Sequence, residues 1–166
     1  MVKVAELLER VVAGMKRDEF LRAFPDPVLV EMEGSSGATA NGIEVTTRLP
    51  TAAIKAQSLA SREARVLPLP VGPLLVGRAL RCGLIVEHAS VSKEHAQVTR
   101  DAKGAVKVED LGSTNGTFVG GKRLDPKTPT AVPADETIRF GRASIFQLLD
   151  PPGMYGYLEV LARFGM

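Results

Sequence analysis

The hydrophobic rhythm of the chain changes partway along it. Over "VKVAELLERVVAGMKRDEFLRAF", Val4, Leu7, Leu8, Val11, Val12 and Met15 recur at helical spacing with charged residues between them, which predicts an amphipathic helix. Gly14 weakens it. Asp18 is placed to cap a second short helix carrying Phe20, Leu21 and Phe24, which Pro25 and Pro27 stop. "PVLVEM" then reads as a strand, "EGSSGATANG" as a loop and "IEVTTRL" as a strand, while Thr51 to Ser61 fits either a helix or a linker.

From about Arg62 the period shortens. "ARVLPL", "LLVGR", "LIVE", "HAQVTR", "AVKVED", "TFVG", "TIRFG" and "SIFQLLD" are short β-like runs. Turn signals separate them, among them Pro68, Pro70, "DAKG", "STNG", "DPKTPT" and "PADE". Many short strands at this spacing predict an all-β sandwich or barrel. Pro151 and Pro152 read as its end, and "MYGYLEVLARF" follows with Leu158, Leu161 and Phe164 at helical spacing. So short a helix needs a neighbour to pack on. The expected organisation is a helical or small α+β region over 1–60, a β domain over 62–150 and a helical tail over 151–166.

Composition narrows the function. The 166 residues are 45% hydrophobic and 24% charged, close to globular averages. Aromatics make up 5% and there is no Trp, which argues against a stacking platform for single-stranded nucleic acid. Net charge is +2, too small to announce a nucleic-acid partner. Residues 1–60 carry 7 Lys/Arg against 8 Asp/Glu and residues 61–166 carry 14 against 11, so the excess suits a local anion site in the second part. The single Cys82 excludes an internal disulfide and fits a reducing, cytoplasmic setting. Glu6 and Glu9 interrupt any signal-like apolar run, and no stretch approaches membrane-spanning length, so a soluble protein without a membrane partner is expected.

Three clusters carry the candidate chemistry: "VGR" ending at Arg78, "SVSKEHAQV" from Ser90 to Val98, and "DLGSTNGTFVGGKRL" from Asp110 to Leu124. A phosphothreonine brings about −1.5 to −2 charge and three acceptor oxygens. A site for it needs a fixed cation and short neutral donors. Arg78 offers the planar fork, Ser92 and Thr114 offer hydroxyls, and Lys93 offers a mobile point charge.

In order and spacing these clusters resemble the forkhead-associated domain, over roughly residues 62–150. The resemblance implies a mainly β fold, a sandwich of two antiparallel sheets, here with a helical or small α+β N-terminal appendage and a short C-terminal helix. It implies that Arg78, Ser92, Lys93 and Thr114 bind phosphate, and that Asn115 pairs with the backbone of the ligand. Ser90 would lie in the loop that sets sequence preference, and Gly77, His95 and Gly116 would shape the loops. The implied ligand is a Thr-phosphorylated protein or peptide, which links the chain indirectly to a Ser/Thr kinase.

No catalytic function is expected, since no nucleophile–base pair stands out. "GTFVGGKR" falls short of a nucleotide-binding loop because Arg123 stands where Ser or Thr must hold magnesium. No metal or cofactor is expected, because His88 and His95 have no completing ligand pattern. His88 reads as an exposed loop residue, and Lys122–Arg123 as a solvated turn. The alternative function is a phosphate-independent scaffold, with self-association through the N-terminal region.

Overall fold

The computed structural model describes residues 2–32, 64–142 and 145–163. The chain runs β1 (Val2–Lys3), α1 (Val4–Val12), α2 (Arg17–Ala23), β2 (Val28–Glu31), β3 (Arg65–Pro68), β4 (Gly72–Gly77), β5 (Leu84–Ile85), β6 (Ala96–Arg100) and β7 (Val106–Asp110). It continues with β8 (Thr117–Val119), β9 (Lys122–Arg123), β10 (Thr130–Val132), β11 (Thr137–Phe140), β12 (Ile145–Leu149) and α3 (Pro151–Arg163). The strand and loop expected between Glu33 and Ser61, the helix or linker of that stretch, and Phe164 lie outside the described residues.

Among the described residues, twelve strands form two facing sheets. One has the order β1-β3-β2-β12-β11-β8-β9 and the other β10-β7-β6-β4-β5. Pairing is antiparallel except between β4 and β5, which run parallel. The core between the sheets takes Leu29, Phe140, Phe146 and Leu148 from the first and Val76, Val98, Val106 and Val108 from the second.

The seven-stranded sheet is buried on both faces at one end. Leu29 faces the other sheet, while its neighbours Val28 and Val30 face a second apolar cluster with Val4, Leu7, Leu8, Phe20, Met154, Leu158 and Leu161 of helices α1, α2 and α3. Leu148 and Leu149 split in the same way. A strand covered on both sides reads as a continuous apolar run, which is why "VLVE" and "IFQLL" do not alternate. In β6 and β7, by contrast, Val98, Val106 and Val108 point inward while Lys107 is exposed, as in a sheet with one wet face.

Two local starts differ from expectation. Helix α2 begins at Arg17, and it is the Glu19 carboxylate that accepts the Lys16 backbone N–H at 3.0 Å, in place of a cap by Asp18. Pro151 and Pro152, read as the end of the β domain, also form the first turn of α3, ahead of the expected start at Met154. Proline suits a first helical turn, where its missing N–H has no partner to lose. Asp150 Oδ1 accepts the Gly153 N–H at 2.7 Å and caps the helix. The Tyr155 hydroxyl donates to the Met15 carbonyl at 3.2 Å, tying the C-terminal helix to the N-terminal pair. Among the described residues no helix is long and apolar enough to cross a membrane.

Candidate functional site

Three loops meet at one end of the sandwich. The first leaves β4, whose Val76 is anchored in the core. There Gly77 passes so near the β5–β6 loop that an added Cβ would lie 2.2 Å from the Lys93 carbonyl oxygen. Only glycine permits that approach. The backbone N–H of Arg78 then donates to the Ser92 carbonyl at 3.0 Å, and that of Ala79 to the Lys93 carbonyl at 3.1 Å.

His95 holds the second loop to the third. It is fully buried. Its Nδ1 accepts the Ser92 backbone N–H at 3.0 Å, so the ring proton sits on Nε2, which donates to the Gly116 carbonyl at 2.7 Å. Burial is the main influence on this imidazole and lowers its pKa from 6.5; the Gly116 carbonyl and the Asp110 charge oppose that without reversing it. A neutral ring suits a brace that must accept on one side and donate on the other.

The third loop is shaped by Asp110. Its Oδ2 accepts the backbone N–H groups of Gly112 and Ser113, both at 3.0 Å, and its Oδ1 accepts the hydroxyls of Ser113 and Thr117. Ser113 Oγ in turn accepts the Gly116 N–H at 2.9 Å. Burial pushes the Asp110 carboxyl up, but the bonds from Ser113, Thr117 and Gly112 together outweigh it and hold the group below 3.8. Neither Asp110 nor Ser113 was singled out as a site residue from sequence. The signal available was an acceptor followed three residues later by a Ser, ahead of an Asn-Gly turn.

The third loop then reaches back to the second. Thr114 donates its backbone N–H to Ser92 Oγ at 3.2 Å, and Asn115 Nδ2 donates to the Ser90 carbonyl at 2.8 Å. Arg78, Ser92 and Thr114, distant along the chain, are therefore linked in series by two hydrogen bonds. Ser92 Oγ accepts from Thr114, which leaves its own O–H free to donate elsewhere. The side chains of Arg78 and Lys93 are exposed and make no ion pair among the described residues, whereas neighbouring Arg81 is paired with Glu94 at 2.8 Å.

Ser90 is differently placed. Its hydroxyl lies 2.7 Å from His88 Nδ1 and accepts the Arg142 N–H at 2.8 Å, so both of its hydrogen-bonding roles are taken inside the protein. His88 is half-buried, not exposed: its Nδ1 also accepts the Ser90 N–H. Lys122 and Arg123, expected as a turn, form β9 opposite Val119 and Phe118. Cys82 is buried, its thiol pushed up by burial and donating to the Lys93 carbonyl at 3.2 Å. Among the described residues no three His, Cys, Asp or Glu side chains are grouped as metal ligands.

Comparison with known proteins agrees with this architecture. Residues 74–141 match the FHA domain. The solved FHA domain of the CT664 protein from Chlamydia trachomatis shares the fold with a TM-score of 0.52 at 21% identity, over 75% of this chain and 97% of that one. The β-sandwich has the fold of FHA domains, and residues 74–141 of it match that domain. Among curated proteins, the nuclear inhibitor of protein phosphatase 1 from Homo sapiens is 39% identical over 64 residues, 38% of this chain and 18% of that protein. The oxoglutarate dehydrogenase inhibitor of Corynebacterium diphtheriae is 28% identical over 125 residues, covering 75% of this chain and 84% of that protein. The chain spans less than a fifth of the length of the first curated relatives it matches.

Proposed function

We propose that this chain binds a phosphothreonine-containing segment of a partner protein at the three-loop end of the sandwich, without catalysing a reaction on it. The observation that carries this reading is the bonded series Arg78–Ser92–Thr114, in which the side chain of Arg78 and that of neighbouring Lys93 are exposed cations with no carboxylate partner among the described residues. A doubly charged oxyanion requires such an arrangement: a guanidinium fork, a second positive charge and hydroxyl donors already held in position by the backbone. Asn115, with Nδ2 anchored on Ser90, has its side chain fixed beside the loop, where it can pair with an extended ligand backbone. Each charge-assisted hydrogen bond contributes about 1.5–3 kcal/mol, so a few of them offset the ordering of a short peptide. The partner is then a protein marked by a Ser/Thr kinase.

Titration of phosphorylated and unmodified threonine peptides against the full chain tests the reading. Binding is expected only with phosphate. Equal binding of both forms would instead favour a phosphate-independent scaffold. Arg78→Ala should weaken phosphopeptide binding by about 2 kcal/mol, roughly thirty-fold. A loss below about threefold would remove Arg78 from the site.

A further inference from the structure

Arg123 is a cation beside the third loop to which the site described above gives no role. On β9 it stands opposite Phe118 of β8, and Phe118 stands opposite Arg139 of β11, so the three occupy one row across the sheet. Arg139 is engaged, its guanidinium 4.2 Å from the Phe118 ring centroid. Arg123 instead folds toward the third loop of the site. Gly116 is buried with φ +86°, and a Cβ added there would meet Arg123 Nε at 2.6 Å and Cζ at 3.0 Å. The guanidinium therefore lies on the α-carbon of the residue directly after Asn115, located by packing.

It nonetheless lacks a counter-charge. Arg65, Arg81 and Arg100 are bound to Glu31, Glu94 and Asp26 at 2.7–2.8 Å. The side chain of Arg123 is exposed and makes no hydrogen bond or ion pair among the described residues. A positioned, solvent-facing arginine without an anion beside a peptide-holding loop is suited to an anion carried by the ligand.

We infer that Arg123 is a specificity-determining residue, selecting an Asp or Glu in the ligand segment on the flank of the phosphothreonine that passes over Gly116. This rests on the phosphothreonine reading of the site. An extended ligand advances about 3.3 Å per residue, so the selected carboxylate lies within a few positions of the phosphate. The pair is solvent-exposed, which sets its effect at a few-fold and makes it sensitive to salt.

The test is a positional scan of phosphothreonine peptides with Asp, Ala or Lys at each of the three positions on either side, titrated against the full chain at low and high salt. Wild type should prefer Asp to Ala several-fold on one flank, less so at high salt. Arg123→Gln should abolish that preference while retaining binding of the all-Ala phosphopeptide, Arg123→Lys should keep most of it, and Arg123→Glu should turn it toward Lys. Phosphate-dependent binding with no acidic preference, or a preference that persists in Arg123→Gln, overturns the role of Arg123 alone. Equal binding of phosphorylated and unmodified peptides overturns the reading of the whole site, and this inference with it.

Discussion

Four hydrogen bonds converge on the carboxylate of Asp110, and the group is 2% exposed. Removing it leaves two backbone N–H groups and two hydroxyls without their acceptor, one of them on buried Thr117. Asp110→Ala should therefore destabilise the fold by about 3 kcal/mol and weaken phosphopeptide binding with it, because Ser113 and Thr114 lose their support. Urea unfolding of the two proteins measures this, and a loss below about 1 kcal/mol would contradict the network's importance. The contribution is present above pH 3.8 and lost as the pH falls through the lowered pKa of the folded state. His95 acts at higher pH with the same sign. The folded protein holds this proton less tightly than the unfolded chain, so unfolding takes up protons and stability declines as pH drops below about 6.5. An NMR titration should find His95 as the Nε2–H tautomer at pH 7, titrating below 6.5. A midpoint at or above that value would refute the brace.

At the level of elements, β2 shows what burial on both faces does. It pairs with β12 on one side and β3 on the other, and Val30 is 1% exposed. Proline there deletes a ladder hydrogen bond that an interior strand cannot move to solvent. Val30→Pro should cost about 3 kcal/mol or more, seen as a large drop in Tm; a melt within a few degrees of wild type would show that β2 is dispensable. The strands most legible in the sequence are those with a strong local signature: alternation in β6 and β7, or an apolar run bounded by turns in β2 and β12. β1, β9 and β10 have two or three residues each, too few for a period to register. Helix α3 was legible from its apolar spacing, but its first turn was not, since proline reads equally as a stop and as a start.

Over the whole molecule, the N-terminal segment is bound into the sandwich. β1 and β2 stand in the seven-stranded sheet, and α1 and α2 cover its outer face together with α3. A chain beginning at Ala64 would bare one edge of β12 and the apolar side of α3. It should aggregate or fail to melt cooperatively, as read by light scattering and circular dichroism. A soluble deletion protein with a sharp transition would show that the N-terminal elements only decorate the sheet.

Local chemistry, by itself, indicated the class of the fold and picked out the three loops that make up the candidate site. Strand period, turn residues and the order of "VGR", "SVSKEHAQV" and "DLGSTNGTFVGGKRL" are properties of neighbouring residues. Only the tertiary structure decided that residues 28–31 stand between β3 and β12, that Ser90 spends its hydroxyl on His88 and Arg142, and that Arg123 lies on Gly116. Those relations join residues far apart in the chain. They follow from sheet order and close packing, which no local pattern encodes.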